Sequence, residues 1–339
     1  MRIVPSTING ILVRAIGSTD FRGAGTNHPI ADVNPFVFLE HLSSPIQSPN
    51  TPNFGLHPHS GVTILTIELS GVIENITIDP NDKSGHGNGK EKRSIHGTGK
   101  GPFLLATNAG RGVVHDEHTY TADTSSQFQC AFLTGDNTSK AYSSYVAEPT
   151  ILHQNKGEDG DSSAPSSDIM ICAGTFRGKD SGLKIGPIGD DASRVPTLLY
   201  ITIPPGGCFQ MNDQEMADIQ GGNAFIYNTK KRRENNSDHS NINSDTIDGG
   251  EGSLVVNDEI SIKPWSLLSI TSEDDVQQLT IENRGTTEHV SAFVGYGKPI
   301  VPSWTKMLMF NGFIFAPSKE DAEKKEDEYK QLGMRGFGK

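Results

Sequence analysis

Short segments in which apolar and polar residues alternate run along most of the chain, separated by turn-forming Gly, Pro, Asn and Asp residues. A representative segment is Val62–Leu69, which is rich in β-branched and apolar residues and is followed by Ser70-Gly71. Alternation of this kind, with turn residues between the runs, is typical of β-sandwiches and barrels. The pattern therefore predicts an all-β protein, with one convincing helix at Lys319–Leu332 near the C-terminal end.

Changes in composition divide the 339-residue chain, which is long enough for two domains with separate cores. A polar, Gly- and Ser-rich stretch at 155–168 is predicted to be a linker between domains 1–154 and 169–339. The stretch 79–101 is long and polar, and it is predicted to be an exposed loop. The stretch 230–252 is basic and then rich in Asn, Ser and Asp, so we predict a disordered insert there.

The charge and composition of the chain argue against several classes of function. A net charge of −12 repels phosphate backbones, which disfavours broad nucleic-acid binding. No apolar run approaches the roughly 20 residues of a membrane helix, and the N-terminus lacks the apolar region of a signal peptide. Three widely spaced cysteines (Cys130, Cys172 and Cys208) indicate free thiols in a reducing compartment. The predicted location is cytoplasmic, with nuclear import if Lys230–Arg233 acts as an import signal rather than as a solvated basic loop.

Candidate chemistry begins at His57-Pro58-His59, just before the strand at Val62–Leu69. Residues two apart on a strand share a face, so both imidazoles would point the same way. Two converging imidazoles are half of a metal site. The alternative is a polar strand end with two solvated histidines.

A second candidate segment is Gly110–His118, which contains His115-Asp116-Glu117-His118. On a strand, His115 would share a face with Glu117, and Asp116 would share the opposite face with His118. The flanking Val113 and Val114 occupy one face each. The residues alone leave both ligand pairs open.

These two segments resemble the signatures of the pirin family of the cupin superfamily. The first signature is HPH-x-G, here 57–61, and the second is GRG followed by two apolar residues and H-x-E, here 110–117. The segment at 32–36 and the C-terminal region are also similar to the family. The resemblance implies a bicupin of two jelly-roll β-barrels with a short C-terminal helix: a metal-binding N-terminal cupin in 1–154 and a metal-free cupin in 169–339.

The resemblance also implies a function. It implies that His57, His59, His115 and Glu117 bind one Fe(II), or another divalent transition metal, and this selects one of the two open ligand pairs. The activity implied is flavonol (quercetin 2,3-) dioxygenation, in which a small aromatic substrate and O₂ react and Glu117 accepts the substrate hydroxyl proton. The alternative is an iron-dependent, redox-sensing co-regulator that binds a nuclear transcription factor or a G-protein without turnover. A metal-stabilised scaffold is a third interpretation, and the chain is expected to be a monomer.

The sequence departs from the family pattern near the predicted pocket. Ser60, Val62 and Thr63 stand where the family has Arg and Glu around a Phe, and Pro102–Ala106 lacks the usual Trp. The segment between the ligand motifs is longer as well. Metal ligation is therefore implied more directly than the identity of the substrate.

Overall fold

The computed structural model describes most of the chain, in segments separated by gaps. The described residues are 2–5, 7–9, 12–14, 33, 35–45, 56–79, 90–97, 101–120, 124–134, 138–154, 165–186, 195–229, 252–264, 266–299, 304–307, 313–316 and 319–331.

In the first part of the chain, the regular elements that the structure describes are all strands. They are β1 (Arg2–Pro5), β2 (Thr7–Asn9), β3 (Leu12–Arg14), β4 (Phe36–Pro45), β5 (His57–Ser60), β6 (Val62–Ser70), β7 (Val72–Asp79), β8 (Lys90–His96), β9 (Phe103–Asn108), β10 (Val113–Tyr120), β11 (Thr124–Leu133), β12 (Tyr142–Val146) and β13 (Ile151–Gln154).

The second part adds strands and two helices. They are β14 (Ser167–Ala173), β15 (Thr175–Phe176), β16 (Lys179–Asp180), β17 (Thr197–Ile203), β18 (Cys208–Gln210), α1 (Asp213–Gln220), β19 (Asn223–Asn228), β20 (Leu254–Val256), β21 (Ile260–Ile262), β22 (Ser266–Ile270), β23 (Thr280–Asn283), β24 (Val290–Gly297), β25 (Trp304–Met307), β26 (Phe313–Ala316) and α2 (Lys319–Gln331).

The chain forms two compact units, and each takes a terminal segment from the opposite half of the sequence. We call the first the N-terminal unit; it comprises Thr7–Pro149, Ser181–Pro196 and Pro299–Lys339. The C-terminal unit comprises Met1–Ser6, Thr150–Asp180 and Thr197–Lys298. The strand pairing explains the exchange at the N-terminus, because β1 pairs with β22. The predicted boundary at 155–168 stays a prediction, since 155–164 lie outside the described residues.

In the N-terminal unit, the described strands form two sheets. One has the order β25-β26-β5-β10-β7-β8, and the other has the order β12-β9-β6-β11-β4-β3-β2. The pairings are antiparallel except for β26 with β5, which is parallel. The helix α2 packs against β25 and β26. The strand β26, which comes from near the C-terminal end of the sequence, thus lies directly beside β5, the strand that carries the HPH motif.

In the C-terminal unit, a sheet of order β1-β22-β19-β24-β17-β14-β13 accompanies a smaller one of order β18-β23-β20-β21. Its core is one apolar cluster contributed by both sheets, including Ile171, Leu199, Ile226 and Ile281. The N-terminal unit differs, because its buried polar side chains include histidines, among them His57, His59 and His115. Neither of the two described helices is long and apolar enough to cross a membrane.

Two features of the fold correct the sequence-based expectations. The stretch 79–101, predicted to be a loop, contains β8, which pairs along its length with β7. Its charged side chains suit an edge strand, where they hinder pairing with other chains. The second correction is α1, a helix that was not predicted. Its capping box joins Asn212 and Glu215, a signal visible in the sequence. The predicted insert 230–252 lies outside the described residues except for Gly252.

Candidate metal centre

Two strands of the N-terminal unit bring the predicted histidines together. His57 and His59 are two residues apart on β5, and antiparallel pairing places His57 opposite His115 of β10. Residues that are two apart, or directly opposite in a sheet, share a face. All three imidazoles therefore lie on one face, while Pro58 pairs with Val114 at the alternate position.

The three rings form a nearly equilateral triangle. The ring centroids are 4.9 Å apart for His57 and His59, 4.6 Å for His57 and His115, and 4.7 Å for His59 and His115. One candidate ligand nitrogen from each ring lies within 4.8 Å of the other two. The exposed fractions of His57, His59 and His115 are 7%, 2% and 1%, respectively. Buried imidazoles at this spacing could bind one ion between them.

Glycines in both motifs hold the two strand ends together. The Gly61 N–H donates a 2.9 Å hydrogen bond to the Gly110 carbonyl oxygen. Both residues have positive φ, 72° and 47° respectively, which glycine adopts without the steric cost of a Cβ. A Cβ at Gly110 would also collide with the Ser139 carbonyl oxygen. The glycines that flank the histidines are therefore required by the backbone geometry of the site.

The electrostatic environment favours the neutral forms of His59 and His115. Burial lowers the pKa of His59 well below its ordinary value, and repulsion from His115 and His57 lowers it further. The pKa of His115 is lowered for the same reasons, burial first and then His57. Neutral imidazole is the form that donates a lone pair to a metal. At neutral pH, His59 and His115 therefore do not have to lose a proton before they bind a metal ion.

Glu117 lies beside the histidines on the same face of β10, although among the described residues the group of mutually close ligand atoms consists of the three histidines alone. Its Oε1 lies 3.6 Å from Nδ1 of His115, and its side chain is 6% exposed. Its Oε2 accepts hydrogen bonds from Thr66 Oγ1 at 2.7 Å and Gln129 Nε2 at 3.1 Å. Burial raises the pKa of Glu117 to about 7, and the bonds from Thr66 and Gln129 partly oppose the shift. One carboxylate oxygen is thus anchored and the other is directed toward the histidines.

The residues that anchor Glu117 were not found by sequence reasoning. Gln129 Nε2 also donates to Thr66 Oγ1 at 3.2 Å, so each of the three side chains is hydrogen-bonded to the other two. Gln129 of β11 pairs directly with Thr66 of β6. No local motif marks either residue, because their association depends on strand register across distant parts of the chain.

The donor set suits a divalent transition metal. Within the described part of the chain, neither ring nitrogen of His115 has a hydrogen-bond partner, and the same holds for Glu117 Oε1. Buried polar atoms are normally satisfied, so these atoms need a partner that the described side chains do not supply. Imidazole and carboxylate together suit Fe, Ni, Cu or Zn. The residues therefore fit the metal that the resemblance implies.

The other residues of the second motif take alternate positions on β10. Asp116 pairs with Ile76 and His118 pairs with Glu74, whereas Glu117 pairs with Asn75. Alternate positions on a strand face opposite sides of the sheet. Of the two ligand pairs that the sequence left open, His115 and Glu117 are therefore the pair on the same face as His57 and His59.

The C-terminal helix also reaches the ligand strands. Tyr329 of α2 is fully buried, and its hydroxyl donates a 3.0 Å hydrogen bond to the His59 carbonyl oxygen. A Cβ at Gly112 would lie 2.5 Å from the Tyr329 hydroxyl oxygen, and Gly112 has a φ of 145°. The second glycine of the GRG motif therefore makes room for Tyr329. Sequence reasoning missed this contact, which joins residues 270 positions apart.

No protein-family model matches the chain, and neither does any of the curated protein sequences. Among solved structures, quercetin 2,3-dioxygenase from Acinetobacter baumannii superposes with a TM-score of 0.63 at 14% identity, covering 100% of this chain and 98% of that one. GK1651 from Geobacillus kaustophilus gives 0.54 at 17% identity, covering 88% and 95%. The bacterial pirin YhhW from Escherichia coli, in complex with nickel(II), gives 0.48 at 13% identity, covering 87% and 95%.

The fold is a bicupin. The predicted all-β class and bicupin architecture are confirmed. At these identities the likeness concerns the fold alone. The chemistry has to be argued from the site of this chain.

Replacing Glu117 with glutamine should stabilise the metal-free protein in a pH-dependent way. The folded-state pKa, about 7, exceeds the ordinary 4.5, so the stabilisation that protonated Glu117 gives is lost as pH rises through about 7. At about 1.4 kcal/mol per pKa unit, Glu117→Gln should gain roughly 3 kcal/mol at about pH 8 and less than about 1 kcal/mol at about pH 5.

Urea unfolding of both proteins at the two pH values, after treatment with a chelator, measures this difference. The histidines titrate in both proteins, so their contribution cancels. A glutamine variant that is equally stabilised at both pH values would contradict a raised pKa for Glu117.

Proposed function

We propose that His57, His59, His115 and Glu117 bind one divalent transition-metal ion, Fe(II), and that the protein is a flavonol dioxygenase of the quercetin 2,3-dioxygenase type. The observation that carries the proposal is the convergence of three buried imidazoles, with the anchored carboxylate of Glu117 next to His115. The fold likeness to the A. baumannii quercetin 2,3-dioxygenase, which extends over the whole chain, supports it.

The charge of the donor set favours an anionic oxygen ligand. Three neutral imidazoles contribute no charge, so Glu117 offsets only one of the two positive charges of a divalent ion. A metal bound there would hold a deprotonated flavonol beside O₂ and mediate electron transfer between them. The chain itself would supply the proton acceptor, because Oε1 of Glu117 faces the histidines and its pKa lies near neutrality.

The metal is assigned to the N-terminal unit alone. Among the described residues, the histidine cluster lies in that unit, whereas the core of the C-terminal unit is apolar. A core of this kind packs well but offers no ligand for a divalent ion. The C-terminal unit is therefore proposed to be a structural, metal-free cupin.

Anaerobic purification, reconstitution with Fe(II) and a quercetin oxygen-uptake assay test the proposal. The expected result is one metal per chain and oxygen uptake equal to the quercetin consumed. Reconstitution with Ni(II), Co(II), Mn(II) and Cu(II) in parallel identifies the metal that supports turnover. His59→Ala serves as the inactive control.

Stoichiometric metal binding without oxygen uptake would contradict the dioxygenase assignment and favour the partner-binding alternative. Lys230–Arg233, the segment connected with that alternative, lies outside the described residues. A protein that binds no divalent metal would contradict the proposal entirely.

A further inference from the structure

Asn75 of β7 is a buried amide that the packing of the unit leaves unpaired. The residue is 1% exposed, and neither its Oδ1 nor its Nδ2 has a hydrogen-bond partner among the described residues. Its backbone oxygen, by contrast, accepts a 3.5 Å hydrogen bond from Ser94 Oγ. Burial without a partner leaves the desolvation of an amide uncompensated, so an unpaired amide in a protein interior needs an explanation.

Other buried asparagines of this chain show what a structural role looks like. Asn108 accepts from Thr63 Oγ1 at 2.7 Å and donates to the Lys184 carbonyl oxygen at 3.1 Å. Asn228 donates to two backbone oxygens at 2.9 and 3.0 Å. Asn283 also donates to two, at 2.9 and 2.8 Å. Each of these amides joins separate strands or loops, and the Asn75 amide does not.

The register of the sheet places Asn75 beside the metal centre. It is the direct partner of Glu117 in the antiparallel pair of β7 and β10, two positions away from the pair of Thr77 and His115. Directly opposite residues share a face, with Cβ atoms about 4.5–5.5 Å apart. Thr66 and Gln129 occupy Oε2 of Glu117, and the proposed metal would take Oε1, so the Asn75 amide is a polar group on this face whose hydrogen-bonding capacity is left for a substrate.

We propose that the Asn75 carboxamide recognises the substrate through a hydroxyl group next to a carbonyl group, an inference that rests on the proposed function. An amide offers one acceptor and two donor hydrogens on adjacent atoms. A molecule with a hydroxyl beside a carbonyl presents the complementary pair. Before its proton passes to Glu117, the hydroxyl would donate to Oδ1, and the carbonyl oxygen would accept from Nδ2.

The neighbours of Asn75 suit the rest of such a molecule. Ile73 lies two residues away on the same face of β7, and it packs in a buried apolar cluster with Phe103 and Leu105. Ligand sites commonly combine an apolar wall with a few placed polar groups that fix the orientation. Asn75 is therefore a specificity-determining residue for ring compounds that carry adjacent hydroxyl and carbonyl oxygens, rather than a metal ligand.

The test compares Asn75→Leu, which keeps the approximate size and removes the amide, with Glu74→Gln as a matched control. Glu74 is the preceding residue, on the opposite face of β7, where it pairs with His118. The probes are maltol, a small ring with adjacent hydroxyl and carbonyl groups, and azide, an anion that binds metals without such an edge. Binding of each probe to Co(II)-loaded protein is followed by optical titration.

Asn75→Leu is expected to bind Co(II) and azide as the wild type does and to lose about tenfold or more in maltol affinity, the effect of two neutral hydrogen bonds. Glu74→Gln should match the wild type with both probes. Equal maltol affinity in Asn75→Leu and the wild type would overturn the inference while leaving the metal centre intact. Loss of Co(II) from Asn75→Leu alone would also overturn it, because Asn75 would then support the ligands. A wild type that binds no Co(II) would instead refute the proposed function.

Discussion

His59→Ala is expected to lose nearly all bound metal, whereas His118→Ala should retain one metal per chain. His59 is one of three imidazoles whose nitrogens converge, while His118 occupies the alternate parity of β10. Changing even the hydrogen-bond partners of metal ligands costs about 10- to 100-fold in affinity, so removing a ligand should cost more than about 100-fold. Metal analysis of both variants after the same reconstitution and desalting gives the comparison.

Circular dichroism and thermal melts of the two metal-free variants serve as controls for folding. Equal metal loss in both variants would mean that His118 is also needed for binding, which would contradict the assignment by strand parity. Full retention in both would mean that the histidine cluster is not the metal site.

Tyr329→Ala is expected to destabilise the N-terminal unit strongly, and Tyr329→Phe only slightly. The alanine variant removes a fully buried ring, a change that typically costs about 3–5 kcal/mol. The phenylalanine variant keeps the ring and removes the hydrogen bond to the His59 carbonyl oxygen, worth about 1 kcal/mol. Urea unfolding measures both effects, and a metal titration shows whether the loosened β5 binds the ion more weakly.

Gly112→Ala provides an independent test of the same contact. An added methyl group would meet the Tyr329 hydroxyl oxygen at 2.5 Å. The substitution should therefore be less destabilising in the Tyr329→Phe background than in the wild type, a coupling that a double-mutant cycle measures. Additive effects of Gly112→Ala and Tyr329→Phe would show that the helix does not pack against this glycine.

The sequence predicted those parts of the site that lie close together along the chain. Strand parity paired His57 with His59 and limited the second motif to two ligand pairs, and the family resemblance selected His115 and Glu117. Parity alone could not choose, because a strand has two faces and the flanking valines are apolar on both. Strand register in the folded sheet was needed to relate β10 to β5.

Contacts between distant residues were beyond sequence reasoning. Thr66 and Gln129 meet only because β6 and β11 pair in one register, and Tyr329 reaches His59 from the far end of the chain. A polar edge strand such as β8 lacks the alternation that identifies a strand, since its charges face solvent. The short helix α1 was missed for a different reason: its capping box at Asn212 and Glu215 was present but not used.

The exchange of terminal segments has a consequence for how the protein is made on the ribosome. The strands that carry the histidines are synthesised well before β26, which flanks β5, and before Tyr329. At about 5–20 residues per second, the ribosome needs on the order of ten to forty seconds to pass from Pro149, where the first segment of this unit ends, to Tyr329. The histidine strands therefore remain in an incomplete sheet during this time, and stable metal insertion is expected only after Tyr329 has emerged.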